Sequence, residues 1–361
     1  MKKKFFAWIQ KYERHLSALA MIAGFVCDNL LFERVDLWQT QLWLASFSLV
    51  CFITIPWLHF IESRVARGRP RPRWRFLLPL ITQFALGGFW SAFVIFYGRS
   101  AVLSASWPFV LFLFLILLAN EYFHKYHDKL VFTSILFFFA IYSFALFEVP
   151  IYTGTMGMWT FVLSGLVAVC AFVLFTILLR IFGRDRFLAD VLKIRIGALG
   201  VLIVINLFYF TNILPPLPLS ASASGVYHKV THVSGVYTAT GEAEQWGARY
   251  FGSKPILHIV QGESLYAYSS VFAPVTLTTA IVHRWQWYDP LEKQWITESI
   301  INYSIVGGRD GGYRGYSALL IIEAGEWRVD VETTDGRLIA RLPFTVEIVK
   351  TPPPETVVIL N

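Results

Sequence analysis

Long apolar runs occupy the first part of the chain and end near residue 213, after which apolar and polar residues alternate. A helix needs roughly 20 mostly apolar residues to cross a bilayer, because its backbone must satisfy its own hydrogen bonds there. Seven segments meet this requirement: 16–32, 42–61, 76–97, 103–122, 130–149, 159–182 and 194–213. The pattern therefore predicts an all-α bundle of seven transmembrane helices over residues 1–213.

Beyond residue 225 the pattern is typical of β-strands. In the stretch 327–332, Trp and Val alternate strictly with Arg, Asp and Glu, as a strand with one buried face requires. Asp335 and Gly336 form a turn, and the same register resumes over 338–348, which predicts a hairpin. Further strands are expected at 256–260, 265–272, 277–288, 295–305 and 316–322. About seven or eight strands of this kind predict an all-β, immunoglobulin-like antiparallel sandwich over residues 226–350.

Two shorter segments flank this sandwich. Residues 214–225 combine three prolines with a run of Ser, Ala and Gly, which favours a flexible linker. Residues 351–361 begin with further prolines and end in an apolar stretch. We interpret that last segment either as a Pro-rich tail or as an edge strand.

Composition agrees with a membrane protein, since 56% of the residues are hydrophobic and only 15% are charged. The net charge of +7 belongs to the helical part, because residues 1–213 hold 20 Lys and Arg against 10 Asp and Glu. Residues 214–361 hold 11 against 14. Orienting loops explain this excess better than phosphate contacts do, so nucleic acid is not an expected partner.

The basic residues also predict an orientation. If the seven segments cross in turn from an N-terminus in the cytoplasm, 18 of those 20 residues fall on the cytoplasmic side, and Arg34 and Arg99 are the exceptions. An odd number of spans then places the C-terminal domain outside the cytoplasm. A cleaved signal peptide is the alternative for the first segment.

The cysteines do not form a metal-binding or redox motif. Cys27, Cys51 and Cys170 all lie in apolar runs, and they form neither a CxxC pair nor a Cys/His cluster. We therefore predict no metal site, no cofactor and no disulfide in the C-terminal domain. No catalytic motif is recognisable, and we predict that the protein is not an enzyme.

The first candidate binding group is a row of aromatic side chains on one predicted strand. His283, Trp285 and Trp287 project from the same face, where indoles could stack against a sugar or against a partner's side chains. The alternative is that this row is the inward face of a sandwich strand.

The second candidate is the Gly-rich stretch 307–317, which lacks the residues of a phosphate loop. A loop that holds cationic and phenolic groups could clamp an anionic or polar ligand. The candidate ligand-binding residues are Arg309, Tyr313, Arg314, Tyr316 and Ser317. An ordinary hairpin loop with locally paired arginines is the alternative.

The third candidate lies in the helical part. Asp28 and Asn29 fall within the first predicted span, and an intramembrane carboxylate suggests a proton or ion path by default. Gln83 and Asn206, in the third and seventh predicted spans, are candidate partners. This hypothesis makes the protein a transporter or channel.

Residues 275–348 also resemble a bacterial family, the domain of unknown function DUF2914. The resemblance rests on His283-Arg284-Trp285, on the order of the segments 307–308, 313–317 and 335–336, and above all on the hairpin residues 325–331. Gly315 and Tyr316 depart from the polar residue and Trp expected at those positions. The resemblance implies a domain of proteobacterial envelope proteins, sometimes found behind a multi-span region, and it implies no activity.

These observations converge on one hypothesis. The protein is expected to be a non-enzymatic, multi-pass protein of the bacterial inner membrane, with a cytoplasmic N-terminus and a periplasmic β-sandwich. Its expected partners are the lipid bilayer and an envelope protein or cell-wall glycan bound by the sandwich. The transporter or channel remains the alternative.

Overall fold

The computed structural model describes residues 25–26, 28–29, 37–100, 103–122, 129–216, 219–242, 254–273, 278–306, 313–320 and 322–360. The chain forms two compact units, one built from helices and one that contains the strands. The predicted first span lies outside the described residues except for four helical positions, two on each side of Cys27.

The described part of the helical unit contains six long α-helices and one short 3-10 helix, Arg73–Phe76. The six are α1 (Trp38–Ala66), α2 (Leu77–Ser100), α3 (Leu103–Tyr122), α4 (Leu130–Thr153), α5 (Met158–Phe182) and α6 (Arg184–Phe210). Five stretches are long and apolar enough to cross a membrane: Trp38–Ala66, Arg73–Gly98, Leu130–Thr153, Met158–Phe182 and Arg184–Phe210. In α3 the apolar stretch Ser106–Asn120 is shorter. Five of the seven predicted spans thus have a matching helix of sufficient length.

Aromatic rings fill the interior of the helical unit. Phe93 of α2 stacks on Phe147 of α4 with ring centroids 5.5 Å apart, and Trp90 stacks on Phe139 at 5.1 Å. Gly88 permits a close approach of α1 to α2, because an added Cβ would lie 2.5 Å from the ring of Phe47. Small residues therefore serve as packing points between these helices.

The described part of the strand unit contains eleven strands. They are β1 (Ser220–Tyr227), β2 (Lys229–Val233), β3 (Val236–Glu242), β4 (Ile256–Ile259), β5 (Leu265–Phe272), β6 (Thr278–Asp289), β7 (Gln294–Val306), β8 (Tyr313–Leu319), β9 (Gly325–Thr333), β10 (Leu338–Ile348) and β11 (Glu355–Leu360). They form a five-stranded sheet in the order β4-β10-β9-β6-β7 and two three-stranded sheets, β1-β5-β8 and β11-β3-β2. All pairings are antiparallel except that of β10 with β4.

The five-stranded sheet and the β1-β5-β8 sheet enclose the main core. Trp285 of β6, Val329 of β9 and Phe344 of β10 pack there against Leu265 and Ala267 of β5. The opposite face of β5 is also covered, because its Tyr268 is buried with Val230, Ala239 and Leu360 of the third sheet. The domain is therefore a β-sandwich with an additional small sheet, and β5 is buried on both faces.

The segment expected to be a linker differs from that expectation. Most of its Ser, Ala and Gly run forms β1, which pairs with β5 over the register from Ser220–Phe272 to Tyr227–Tyr266. Small side chains fit in β1 because its partner strand, β5, carries the bulky Tyr266 and Tyr268. The sequence pattern also missed β2 and β3, which Ser234 and Gly235 join at φ angles of 50° and 83°. Of the two interpretations of 351–361, the edge strand is the one that the structure shows.

Candidate functional site

Two of the predicted site residues, His283 and Trp285, lie in the main core with 0% exposure. His283 Nε2 lies 2.7 Å from Ser269 Oγ, and His283 Nδ1 lies 2.8 Å from Ser317 Oγ. The Trp285 indole donates to the same Ser317 oxygen at 2.9 Å, and Tyr303 bonds to Ser269. The inward row of β6 is thus linked by hydrogen bonds to β5 and β8 across the core.

The direction of these hydrogen bonds can be assigned from the chemistry of the groups. An indole N–H can only donate, so Ser317 accepts a hydrogen bond from Trp285. The Ser317 hydroxyl can then donate its own hydrogen bond to His283 Nδ1. The Nε2–H of a neutral imidazole then donates to Ser269. Burial lowers the pKa of His283 to about 4, which keeps the ring neutral near pH 7 and consistent with this assignment.

The stretch 313–317 forms part of strand β8 and not a loop, so its candidate residues point alternately to opposite faces. Register with β5 places Arg314 opposite Ser270 and Tyr316 opposite Tyr268. Ser317 faces the core, as its bonds to His283 and Trp285 show. The predicted clamp is therefore divided, with Arg314 and Tyr316 on the outer face of the β1-β5-β8 sheet.

Tyr313 and Gly315 complete the inward row of β8. Tyr313 packs against the second half of the main core, beside Val271 and Ile281. A Cβ at Gly315 would lie 2.6 Å from the ring of Tyr303, so the glycine makes room for that ring over the strand. Gly315 thereby allows the hydroxyl of Tyr303 to reach the buried network.

On the outer face, Arg314 and Tyr316 adjoin three further tyrosines, and we call these five residues the tyrosine face. Tyr316 is 41% exposed, and its ring lies 6.4 Å from Tyr237 and 6.2 Å from Tyr266. Tyr237 also contacts the buried Tyr268 at 5.7 Å between ring centroids. The third sheet therefore covers part of this face, and Tyr316 is its exposed ring, beside the half-buried Arg314.

Arg314 is the charged group of the tyrosine face. Its carbonyl accepts a hydrogen bond from the Tyr237 hydroxyl at 3.1 Å, which fixes the strand beneath the side chain. Its Nε atom is buried and has no hydrogen-bond partner among the described residues. Burial raises the pKa of the Tyr268 phenol while the nearby Arg314 opposes that rise, so the phenol stays protonated at neutral pH. Arginine can bind carboxylates or phosphates in a bidentate manner, and phenols add donors for oxygen-rich ligands.

Two predicted site residues remain, and one of them, Trp287, packs against the main core. Trp287 is half-buried in the row that continues from His283, and it lies opposite Trp327 in the register of β6 with β9. Arg309 falls in 307–312, which lies outside the described residues. Their part in ligand binding stays a prediction.

The intramembrane candidates contact different groups. Asp28 and Asn29 lie side by side in the same short helical stretch. The Asn206 amide donates to the Leu202 carbonyl of its own helix at 2.8 Å, and the carbonyl of Gln83 accepts from Asn120 at 3.4 Å. Glu148, which falls within the predicted span 130–149, is buried in α4.

Sequence reasoning missed Tyr237, Tyr266 and Tyr268 as members of a site. Tyr266 and Tyr268 stand two apart on one strand, which marks a shared face, but only the pairing of β5 with β8 brings them to Tyr316. Tyr237 comes from β3, a strand that the sequence analysis had not recognised. No local signal could have joined these segments.

A family model described as a protein of unknown function, DUF2914, matches residues 278–346, which follow the helical region and include β6 to β10 almost completely. This match confirms the resemblance inferred from the hairpin motif. No curated protein matches the chain.

Three solved structures show distant likenesses. An immunoglobulin-like protein from Pseudomonas aeruginosa is 16% identical, covering 36% of this chain and 98% of its own, with a TM-score of 0.21. A β-glucosidase from Listeria innocua is 12% identical, with 34% and 18% covered and a TM-score of 0.20. The alkylpurine DNA glycosylase AlkC from Pseudomonas fluorescens is 7% identical, with 85% and 97% covered and a TM-score of 0.23. At these scores the likenesses assign no function.

Proposed function

We propose that this protein is a non-enzymatic inner-membrane protein whose β domain, on the periplasmic side, binds an envelope protein or a cell-wall glycan through the tyrosine face. The helices supply the membrane anchor, with the N-terminus in the cytoplasm and seven spans in total. The observation that supports binding most directly is the Arg314 Nε, which is buried among tyrosines without a partner among the described residues.

The chemistry of this face favours a ligand that presents a carboxylate beside hydroxyl or apolar groups. A guanidinium that has already lost part of its hydration binds an anion more strongly than one in open water. The exposed Tyr316 ring offers a flat surface for stacking at little cost in side-chain entropy. Both features are common in binding surfaces.

The buried network supports the non-enzymatic part of the proposal. Ser269 and His283 lie 2.7 Å apart, within the range of a nucleophile and its base. Both side chains are completely buried, however, so a substrate could reach them only if the sandwich opened. Their arrangement is better explained as hydrogen bonding that unites the two sheets.

Photocrosslinking from the tyrosine face tests this proposal. A benzoylphenylalanine at Tyr316 in the full-length protein should capture a partner in cells. The matched control is the same group at Ile300, which is 52% exposed on β7 of the other sheet. Adducts removed by protease indicate an envelope protein, and adducts removed by a muramidase indicate the glycan.

The same crosslinks are then compared after substitution of the charge. Arg314→Gln should reduce the adduct at position 316 by about tenfold, the effect expected for one charge-assisted hydrogen bond. Equal capture from positions 316 and 300, or capture that Arg314→Gln leaves unchanged, would contradict binding at this face.

A transporter or channel is the second candidate, and Glu148 is the observation that favours it. One carboxyl oxygen of Glu148 is buried without a hydrogen-bond partner among the described residues, which is unusual for a purely structural acid. Asp28→Asn combined with Glu148→Gln should abolish proton or ion flux in vesicles. Flux that is unchanged in the double variant, or absent from the wild type, would reject this function.

A further inference from the structure

A buried carboxylate organises the arginine-rich end of the helical unit. Glu62 lies in the last two turns of α1 and is only 6% exposed. Its carboxyl group pairs with Arg75 Nε, with Arg186 Nη2 at 3.2 Å and with Arg71 Nη2 at 3.6 Å. These arginines come from the α1–α2 connection and from the first turn of α6. One acid therefore holds three separate chain segments together.

The backbone of the α1–α2 connection is also well defined. Gly68 has a φ of +83° and ends α1, and its N–H donates to the Val65 carbonyl at 3.0 Å. The Arg69 N–H donates to the Arg64 carbonyl at 3.1 Å, which completes a Schellman-type cap. Pro70 and Pro72 then restrict the chain before the 3-10 helix. The guanidinium groups of this segment consequently project from a rigid support.

The positive charge at this end far exceeds the negative charge. Two carboxylates, Glu62 and Asp185, pair with arginines there, and Asp185 lies 3.6 Å from Arg67. Eight arginines come from the end of α1, the α1–α2 connection and the first turn of α6: Arg64, Arg67, Arg69, Arg71, Arg73, Arg75, Arg184 and Arg186. Arg69 and Arg73 are exposed. The surface is thus strongly cationic even after its internal ion pairs are formed.

Indole rings border this cationic surface on the side of the apolar helices. Trp57 and Trp74 are both about half exposed, and their rings meet edge to face with centroids 6.4 Å apart. Exposed apolar side chains continue from them along α1 and α2, at Ile53 and Leu80. Indoles are enriched at this boundary in membrane proteins because they combine an apolar ring with a polar N–H. The order of chemistry, from apolar to indole to guanidinium, matches that of a phospholipid from acyl chain to phosphate.

We propose that this surface is a binding site for the phosphodiester headgroup of an anionic phospholipid of the phosphatidylglycerol class. Arg69, Arg71 and Arg73 bind the phosphate, and Trp57 and Trp74 contact the glycerol and upper acyl region. Guanidinium groups recognise phosphate oxygens in a bidentate manner, and a preorganised set loses less entropy on binding. This inference rests on the membrane placement of the helices and is independent of ligand binding by the β domain.

Native mass spectrometry of the full-length protein in detergent provides the test. The protein is incubated with phosphatidylglycerol or with phosphatidylcholine of the same acyl chains, and retained lipid is measured. The wild type should retain phosphatidylglycerol preferentially. R69Q/R73Q should reduce that preference by about tenfold, because each cation near an anionic lipid adds to the free energy of binding. The matched control, K229Q/K293Q, removes two exposed charges from the β domain and should change nothing.

Glu62→Gln distinguishes a specific lipid site from non-specific attraction to a positively charged surface. The substitution makes this end more positive, so bulk attraction predicts stronger retention of phosphatidylglycerol. A site organised by Glu62 predicts weaker retention, since Arg71, Arg75 and Arg186 lose their common anchor. Equal retention of the two lipids by the wild type, or an undiminished preference in R69Q/R73Q, would overturn the proposal. Displacement by inorganic phosphate at equal ionic strength would identify a free-phosphate site instead.

Discussion

The helical unit and the β domain have outer surfaces of opposite chemical character. On α5 and α6 large apolar side chains face outward, among them Leu166, Leu174 and Ile203. The outer face of the five-stranded sheet instead presents paired charges, such as Arg284 with Glu332 at 3.1 Å and Arg341 with Asp330 at 2.7 Å. This difference teaches that the two parts of one chain are adapted to different solvents, hydrocarbon and water.

Their interiors differ in the same systematic way. The helical unit packs mainly aromatic rings between α2 and α4, and helix backbones satisfy their own hydrogen bonds there. The β domain places a hydrogen-bonded network of Ser, His, Trp and Tyr inside its core. The polar side chains of this network are tolerated in the core because they bond to one another. Substitutions should therefore have different consequences in the two regions.

The largest effect is expected where the β core combines volume with a hydrogen bond. Trp285→Ala should lower the free energy of unfolding of the β domain by about 3–5 kcal/mol, through the cavity and the loss of the hydrogen bond that Ser317 accepts. Urea denaturation followed by near-UV circular dichroism measures this. Leu291→Ala, at a residue 90% exposed in the β6–β7 turn, should change the value by less than about 0.5 kcal/mol. Similar effects of the two substitutions would refute the assigned core.

Introducing an arginine on each outer surface tests directly whether the two surfaces face different solvents. Ile203 of α6 and Ile300 of β7 are exposed to similar extents, 59% and 52%. Ile203→Arg should raise the apparent free energy of membrane insertion of the α6 segment by about 3 kcal/mol, as measured with an insertion reporter. Ile300→Arg should alter the free energy of unfolding by less than about 0.5 kcal/mol. If both substitutions were equally harmless, α6 would not be facing lipid.

The buried histidine predicts a pH dependence that is specific to the β core. The folded-state pKa of His283, about 4, lies below the value of about 6.5 for an unfolded chain. Its contribution to stability is therefore complete above about pH 6.5 and is lost as pH falls toward 4. Between pH 7.5 and 4.5 the wild type should lose about 2–3 kcal/mol more than His283→Gln. Equal losses in the two proteins would show that His283 becomes protonated within the fold.

A smaller effect is expected at the glycine that admits Tyr303. Gly315→Ala should lower the free energy of unfolding by about 1–2 kcal/mol, because the new methyl group overlaps the Tyr303 ring. Combining it with Tyr303→Phe should give less than the sum of the two single losses, since both weaken the bond to Ser269. Strict additivity of the two losses in this double-mutant cycle would show that Gly315 does not act through the Tyr303–Ser269 hydrogen bond.

Sequence pattern alone predicted the parts of the fold whose periodicity is strong. The alternation in 327–332 and 338–348 located β9 and β10, and the apolar runs located the five long helical stretches. Strand β1 was missed because its Ser, Ala and Gly residues carry no apolar alternation. Its strand conformation depends on pairing with β5. Weak local signals of this kind are overridden by tertiary context.

The site was harder to predict for a related reason. Once 313–317 is known to be a strand, alternation places Arg314 and Tyr316 on the face opposite to Ser317. The glycines of the longer stretch 307–317 had suggested a loop. Membership of Tyr237 and the pairing of Glu62 with Arg186 both join residues far apart in the chain. Such contacts follow from topology, which the order of residue types does not disclose.

Cysteine accessibility tests the central claim most directly, namely that the membrane-anchored chain displays its β domain outside the cytoplasm. Leu291→Cys and Arg69→Cys are introduced separately into a variant whose three native cysteines are replaced by Ser. Cells with a permeabilised outer membrane and an intact inner membrane are treated with a membrane-impermeant maleimide. The account predicts that Cys at position 291 is labelled before lysis and Cys at position 69 only after it. Labelling of position 291 only after lysis would contradict the account.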